Sequence, residues 1–468
     1  MYCQHLTLDE FRNYRHLSLD LPPGVTVVKG DNASGKTSLL EALYMLATTR
    51  SPRTTSELEL INFAAPGDLG SPPFARIAAR VERERGPLDV EILVVREEEP
   101  PPAGVGGQSG VVQARKRIRV NGVARRALDL VGQVNVVLFT PQDVDLVTGP
   151  PALRRRYMDV TISQIDHRYV RQLSQYMKVL AQRNSLLKSI REQGRSAGSR
   201  DVAEEMAYWD QELAEHGAYI VLRREVFAAR LSARAEAVHH LLAGTDAANG
   251  RVDTRRLLRE RRPTAELRLN LAYQSSVAPQ ARAALMPDLL AQIEAEDTLA
   301  SGVSAQHERD EHTASLDPAA LRGRIPHAEA HARRIAEEFR RQLEELRPHE
   351  LRRGVSVLGP HRDDLLFQLG ELALSAYGSR GQQRTAVLAV KLAEVELMTA
   401  ETGDTPILLL DDILSELDAR RRGYLLGAIG GQQYQAFITT TDVAGFDPAF
   451  LDRATLLEVQ HGQVVQAA

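Results

Sequence analysis

Eight residues near the start of the chain, Gly30-Asp31-Asn32-Ala33-Ser34-Gly35-Lys36-Thr37, follow the spacing G-x-x-x-x-G-K-[ST]. They come directly after an apolar run, Val25 to Val28, and open an apolar helix from Ser38 to Ala47. The motif requires that context. Its glycines let successive backbone N–H groups close around phosphate oxygens, and the helix N-terminus adds its dipole. Lys36 then reaches the β and γ phosphates of ATP, and Thr37 supplies a hydroxyl to Mg2+. The cation needs a second, acidic partner at the end of an apolar strand. Pro406-Ile407-Leu408-Leu409-Leu410-Asp411-Asp412 is the clearest such site. Asp411 is expected on the metal side, with Asp412 placed as a general base or water-orienting carboxylate. The two pieces stand at opposite ends of the chain yet must flank one nucleotide, so the sheet is left and re-entered.

A length of 468 residues, at roughly 150 per domain, fits such a split α/β domain carrying a large insertion. The expected divisions are residues 1–153 and 351–468 for the two parts of the nucleotide-binding head, and 154–350 for an inserted helical arm or lid. The single cysteine, Cys3, excludes an intrachain disulfide scaffold and any multi-cysteine metal site, which suits a cytoplasmic protein. No apolar run approaches the roughly 20 residues that would span a bilayer, and Met1 to Tyr14 does not read as a signal peptide.

Strand-like stretches at Leu6 to Leu8, Val25 to Val28 and Val90 to Val95 give an α/β opening, and Glu97 to Gly110 reads as a flexible loop. From Val170 the apolar positions Leu173, Met177, Leu180 and Leu187 keep a helical face. After a break at Gly194 to Gly198, Val202, Met206, Trp209, Leu213, Ile220 and Phe227 do the same, which predicts two antiparallel helices. A third helix carries Ile335, Phe339, Leu343 and Leu346 and precedes a strand at Val355 to Leu358. The stretch Ala243 to Pro326 is expected to be a partly ordered, variable insertion. Strands at Leu365 to Gln368, Ile407 to Leu410 and Ala436 to Thr439, with a helix from Gln382 to Thr399, complete the head.

The formal net charge of −4 conceals a separation. Residues 151–200 hold 11 Lys and Arg against 3 acids, and Arg115, Lys116, Arg117, Arg119, Arg125 and Arg126 cluster with no acid among them. Such a run is either a solvated face or a surface that neutralises nucleic-acid phosphates.

Tyr377-Gly378-Ser379-Arg380-Gly381-Gln382 resembles the signature turn of the ABC-type ATPases. That resemblance implies that Ser379, Arg380, Gly381 and Gln382 act in trans on the γ-phosphate held by a second copy; on the residues alone an ordinary helix cap explains them as well. Ser415-Glu416-Leu417-Asp418 resembles the D-loop, which places Ser415, Glu416 and Asp418 at a dimer seam. Thr439-Thr440-Thr441-Asp442 stands where transporter ATPases usually carry histidine, which counts against a transporter subunit.

The chain as a whole resembles the RecF family of SMC-like ATPases. The resemblance is carried by Phe11-Arg12-Asn13-Tyr14, the phosphate loop with Leu39-Leu40-Glu41-Ala42, Val120-Asn121-Gly122, Leu138 to Val147, Gly149-Pro150-Pro151, Arg154 to Asp159, Tyr176 to Lys188, Gly359 to Asp364, Ser379 to Thr385 and Leu408 to Asp418. It implies an ABC-type, SMC-like P-loop head that forms a homodimer around ATP. It also implies DNA binding, at single strands, gaps or double-strand/single-strand junctions. The family acts with RecR and RecO in directing RecA loading, in replication-linked repair and in SOS induction. Arg12 and Asn13 are then nucleotide-proximal or merely a turn, and Gln142 is a Q-loop residue or part of a Pro-Gln-Asp cap. Candidate DNA contacts are Arg115, Lys116, Arg117, Arg119, Arg154, Arg155, Arg156, Arg171 and Lys178. No base-reading module is evident, so recognition by backbone and shape is expected. An aspartate at position 412, one methylene shorter than the glutamate common in transporters, suggests slow turnover, and the family resemblance implies an ATPase that DNA stimulates. Another SMC-like tether and a transporter subunit remain the alternatives, although an arm of about 26 residues reaches only about 39 Å.

Overall fold

The structure is a computed structural model, and it describes residues 1–65, 72–99, 111–196, 198–243, 268–289, 291, 328–430 and 434–466. The chain divides into two compact units with borders at 143/144 and 397/398, against the 153/154 and 350/351 expected.

In the first unit the N-terminal strands are β1 (Tyr2–Phe11), β2 (Tyr14–Asp20), β3 (Val25–Lys29), β4 (Phe74–Glu82), β5 (Leu88–Glu99), β6 (Val111–Val120), β7 (Val123–Arg125) and β8 (Val136–Phe139). The second unit holds β9 (Leu269–Gln274), β10 (Asp364–Leu369) and β11 (Leu372–Ala373). The chain then returns to the first unit for β12 (Ile407–Asp411), β13 (Ala436–Thr440), β14 (Thr455–Gln460) and β15 (Gln463–Gln466). The longer helices include α1 (Lys36–Thr48), α2 (Pro151–Ile165), α3 (His167–Glu192), α4 (Arg200–Ala243), α5 (Ala328–Arg353), α6 (Arg380–Thr402) and α7 (Ala419–Gly430). None is long and apolar enough to cross a membrane among the described residues.

The first unit has two six-stranded sheets, ordered β2-β1-β4-β5-β6-β7 and β15-β14-β3-β13-β12-β8. The first is antiparallel, and its strands alternate. Along β4 the side chains of Ala75, Ile77, Ala79 and Val81 are buried while Arg76 and Arg80 are not, the pattern of a sheet with one face packed. The second sheet is parallel but for β15, and Ile407 to Leu410 on β12 are all buried. A continuous apolar run is what a strand covered on both faces needs. Helix α1 shares its core with both sheets: Leu39, Leu43 and Met45 belong to one cluster with Leu6, Leu8 and Phe11 on one side and Leu409, Phe437 and Val459 on the other.

The acidic run starting at Glu97, expected as a loop, stays in the ladder to Glu99. Glu97 opposes Gln113 and lies 3.3 Å from Arg117 and 3.6 Å from Arg115, so cross-strand charges hold it in the sheet. The remainder of that expected loop, 100–110, lies outside the described residues. Strands β6 and β7 are joined at Asn121 (φ 50) and Gly122 (φ 76), the two left-handed positions that make Asn-Gly a hairpin turn.

In the second unit α3 and α4 pack together and α5 packs on α4. The buried face of α3 keeps the expected Leu180 and Leu187 but not Met177. Met177 is 52% exposed, whereas Tyr176, Val179, Arg183 and Ile190 are buried. An apolar periodicity cannot anticipate this, because the seam contains a fully buried arginine. Arg183 donates to Asp210 (2.8 Å), Glu350 (2.6 Å) and Ser356 Oγ (2.7 Å), and Arg347 also reaches Asp210 (2.9 Å). With its partners all present the guanidinium tolerates burial; removing one would leave a charge uncompensated. Gly217 lets α4 approach closely, since a Cβ there would come within 2.7 Å of the Phe339 ring.

Val355 to Leu358, expected as a strand, forms none. Its backbone is taken by side chains instead: Ser356 N–H donates to Asn184 Oδ1 (2.7 Å) and Val357 N–H to Glu350 Oε1 (2.8 Å). The turn that follows, Gly359 to Asp364, is a knot of buried polar contacts. Arg224 donates to the Pro360 carbonyl (2.6 Å), to Asp159 (2.7 Å) and to the Tyr169 hydroxyl (3.0 Å). Tyr273 hydrogen-bonds Asp363. The expected insertion at 243–326 lies mostly outside the described residues; its described part supplies Leu269–Gln274 to the β11-β10-β9 sheet and a helical stretch at 279–289.

His361 gives this knot a pH dependence. Its Nδ1 lies 2.6 Å from the Tyr176 hydroxyl and its Nε2 lies 3.3 Å from the Ser356 carbonyl. A carbonyl can only accept, so Nε2 carries the proton and Nδ1 accepts from Tyr176. Burial first, then the nearby arginines, pushes its pKa from 6.5 to about 4. The unfolded chain therefore takes up a proton before the folded one does, so the stability this site contributes is complete above about 6.5 and is lost as pH falls toward 4. The urea midpoint is expected to drop between pH 7 and pH 5, and His361→Gln to flatten that drop.

Candidate functional site

Four parallel strands, β3, β13, β12 and β8, finish on one edge of the second sheet, the edge where open α/β sheets bind ligands. β3 runs into the phosphate loop, β12 ends at Asp411, β13 ends at Thr440 and β8 runs into the Pro141–Val144 turn.

The loop has room only for glycine at two positions. Gly35 has φ 124, and a Cβ there would lie 2.6 Å from Asn13 Nδ2; at Gly30 a Cβ would lie 2.4 Å from the Val459 carbonyl oxygen. Neighbouring segments hold the loop by its carbonyls. Asn13 Nδ2 (2.8 Å) and the Gly462 N–H (3.1 Å) donate to Ser34 O, and the Tyr14 hydroxyl donates to Gly35 O (3.0 Å). The Lys36 ammonium donates to the carbonyls of Gly30 (2.6 Å) and Asp31 (2.8 Å). Burial lowers its pKa, with Asp412, Asp411 and Asp31 acting in the opposite direction. Ser34 Oγ is buried with no hydrogen-bond partner, and so is Asn13 Oδ1. Of the two, the Ser34 hydroxyl can donate, so it is the one that an oxygen-rich ligand in the loop would satisfy.

Thr37, opening α1, donates from Oγ1 to Asp411 Oδ1 at 3.0 Å. Sequence reasoning paired these residues from opposite ends of the chain, and the fold brings them into contact because β13 lies between β3 and β12 in register, with Thr439 opposite both Val28 and Asp411. Asp412 follows at φ 50, an uncommon conformation for a residue other than glycine. Its N–H donates to Thr439 Oγ1 (2.9 Å), and its carbonyl accepts from Ser415 Oγ (2.7 Å).

Arg12 is committed to Glu41. It makes a bidentate pair at 2.9 and 2.7 Å and donates also to the Glu59 carbonyl at 2.8 Å. Glu41 is buried and takes a further bond from Ser51. Sequence reasoning did not single it out as a site residue, although a lone acid inside an apolar helix is a usable signal, since an unpaired buried carboxylate is rare. Gln142 is exposed at the same sheet edge, in a turn that Asp143 caps by accepting the Thr140 N–H (2.7 Å).

In the second unit Ser379 and Gln382 form a reciprocal cap at the start of α6: Ser379 N–H donates to Gln382 Oε1 (2.9 Å) and Gln382 N–H to Ser379 Oγ (3.3 Å). Ser379, Arg380 and Gln382 are exposed and Gly381 is half-buried. In the first unit Asp418 pairs with Arg421 (2.6 Å) beyond the turn at Ile413–Glu416, which includes Ser415 and Glu416.

The basic candidates divide. Arg154 is not a surface contact: it is 7% exposed, forms a bidentate pair with Asp364 (2.6 and 2.9 Å) and donates to the Gly149 carbonyl (2.7 Å). Lys116 is likewise spent on Glu57 and on the Thr49 carbonyl (2.6 Å), because strand alternation turns it to the opposite face from its neighbours. Arg155 is half-buried and donates to the Asp363 carbonyl (2.8 Å). Arg115, Arg117 and Arg119 share the open face of β6, paired with Glu97 and Glu91, while Arg156, Arg171 and Lys178 are exposed on α2 and α3.

Residues 2–464 match the family described as RecF/RecN/SMC N terminal domain. The chain is 43% identical, over the full length of both, to the DNA replication and repair protein RecF of Herpetosiphon aurantiacus, and 42% identical over both full lengths to that of Roseiflexus castenholzii. A solved structure of the recombination mediator protein RecF-ATPrS in the RecFOR pathway superposes with a TM-score of 0.72 at 26% identity, covering 100% of this chain and 98% of the other. The fold is thus that of an SMC-like, ABC-type ATPase head. Within that class the chain belongs to the RecF family.

Proposed function

We propose that the chain is an ATP-dependent DNA-binding protein of recombinational repair and replication, acting in the cytoplasm. ATP brings two copies together, and the dimer grips single-strand gaps or double-strand/single-strand junctions. It promotes RecA loading with RecR and RecO and supports SOS induction, and slow, DNA-stimulated hydrolysis resets it.

The observation that carries the reading is the 3.0 Å contact between Thr37 Oγ1 and Asp411 Oδ1 beside a glycine loop that contains an orphaned buried hydroxyl. The relatives' description as DNA replication and repair proteins and the solved RecF–ATP complex support it. Thr37 and Asp411 are hard oxygen donors, one neutral and one anionic, which fits Mg2+. When bound, the cation would neutralise charge on the β and γ phosphates. Residues 30–35 would turn backbone N–H groups to those phosphates, and Lys36 would exchange the Gly30 and Asp31 carbonyls for phosphate oxygens. Asp412 would hold and polarise the attacking water. Ser379, exposed at the start of α6, would donate with the helix N-terminus to the nucleotide held by the other copy. Arg115, Arg117, Arg119, Arg156, Arg171 and Lys178 remain the candidates for phosphate contact. Arg154 and Lys116 do not.

DNA binding measured on single-stranded, duplex and junction substrates at two salt concentrations, with ATP, ADP or no nucleotide, tests this reading. Binding should require ATP and be lost in Ser379→Arg, which keeps nucleotide but fails to dimerise. Neutralising Arg171 and Lys178 together should lessen the log–log salt slope by about 2. Equal DNA affinity without nucleotide would overturn the clamp.

A further inference from the structure

We infer that Thr439, at the end of β13, is a positioning residue for ATP hydrolysis: its one hydroxyl sets the carboxylate of Asp411 and the backbone of Asp412 at the same time. The inference rests on the hydrolytic reading above and adds a residue to it.

The geometry is specific to a hydroxyl. Thr439 Oγ1 lies 2.9 Å from Asp411 Oδ1 and 2.9 Å from the Asp412 nitrogen. A carboxylate only accepts and an amide N–H only donates, so the hydroxyl takes the Asp412 N–H on a lone pair and gives its proton to Asp411, the nearer and charged acceptor, with the Leu410 carbonyl at 3.4 Å. No other single group with one proton and free lone pairs at one atom could do both in that space, except serine. The residue is 1% exposed, so water does not compete for either bond.

Both bonds act where the chain is least self-determined. Asp411 is the last residue of β12, and Asp412 leaves the strand at φ 50. A left-handed residue with a side chain persists only where its surroundings over-determine it. Here two contacts do so: Thr439 at the N–H and Ser415 at the carbonyl (2.7 Å). They fix the direction of the Cα–Cβ bond, and hence of the Asp412 carboxylate, through the backbone. At the same time Asp411 Oδ1 is shared between Thr439 at 2.9 Å and Thr37 at 3.0 Å. If Thr37 turns its hydroxyl to a cation, Thr439 still holds that oxygen, so Asp411 keeps its rotamer while its partner changes. Thr439 is also paired with Asp411 across the parallel ladder, so its position follows the sheet and not the mobile nucleotide.

Substituting the hydroxyl by a methyl group keeps the shape and removes both bonds. Thr439→Val should lower kcat for ATP by roughly 10- to 100-fold, the usual cost of losing a group that orients a ligating side chain. KM and the affinity for a fluorescent ATP analogue should stay within about threefold, because phosphate-loop contacts are untouched. Thr439→Ser, which restores donor and acceptor, should return kcat to within about threefold of the wild type. If Thr439→Val fails to fold, as judged by circular dichroism, Thr439→Ala carries the same expectation. Wild-type turnover in the valine or alanine variant, or equal losses in the valine and serine variants, overturns the inference. Loss of nucleotide affinity equal to the loss of kcat does so as well, since it marks a collapsed site. A wild-type chain that binds ATP but never hydrolyses it overturns the hydrolytic reading itself, and this inference with it.

Discussion

Lys36→Met is expected to lose ATP binding by roughly 100-fold or more while leaving the fold intact. The side chain keeps its length and burial, so the core around α1 has no cavity to fill. What disappears is the ammonium that contacts the Gly30 and Asp31 carbonyls at 2.6 and 2.8 Å and that would turn to the phosphates. Hydrogen bonds to charged groups contribute about 1.5–3 kcal/mol each, so two of them cover a 100-fold change, about 2.7 kcal/mol. Ligand-linked stabilisation gives a direct readout. At an ATP concentration of about 100 times its Kd the wild type should gain about 2.7 kcal/mol, and the variant at the same concentration no more than about 0.4 kcal/mol. A thermal shift by ATP that survives the substitution would remove Lys36 from the site.

Asp412→Asn is expected to have the opposite profile, with tight binding and almost no turnover. Asparagine preserves the shape and both backbone bonds, to Thr439 Oγ1 and from Ser415 Oγ, so the left-handed turn survives. The substitution removes the carboxylate that, among the surrounding acids, acts most strongly on the Lys36 ammonium. Removing a positioned base costs about 10²- to 10⁴-fold in rate. On the proposed reading Asp412 would face the γ-phosphate, so removing its negative charge should favour ATP binding. ATP dimers should therefore accumulate in sedimentation, and single-turnover assays should show ATP persisting on the protein. Unchanged hydrolysis would take Asp412 out of the chemistry.

The parts legible in the sequence were those whose physics is local. Gly30 to Thr37 and Ile407 to Asp411 announce themselves by spacing and by context, and the structure sets them side by side. The Asn121-Gly122 turn is equally local, although those residues were read only as part of the family resemblance. What escaped depended on partners distant in the chain. Arg154 and Lys116 read as surface cations because their neighbours are basic, but Asp364 lies 210 residues from the first and Glu57 lies 59 from the second. The buried face of α3 was legible only in part, at Leu180 and Leu187, because a count of apolar positions ignores Arg183, whose charge is buried only by virtue of Asp210 and Glu350. Val355 to Leu358 has strand composition, but its amides found side-chain acceptors before any strand could. Thr439 read as the end of a strand and the start of the stretch where transporter ATPases carry histidine, since nothing along the chain tells which of the three threonines will face Asp411.

Strand β3, which delivers the phosphate loop, is paired on one side with β13 and on the other with β14. Both partners begin about 400 residues or more after β3 ends, whereas β1, β2 and β4 to β7 can pair among themselves far earlier. At roughly 5–20 residues per second of synthesis, β3 waits tens of seconds on the ribosome with both edges bare. Unpaired strand edges are templates for wrong partners, so over that interval β3 is open to mispairing. The strand that delivers the phosphate loop is therefore completed only once β13 and β14 have been made, however early the loop itself is written.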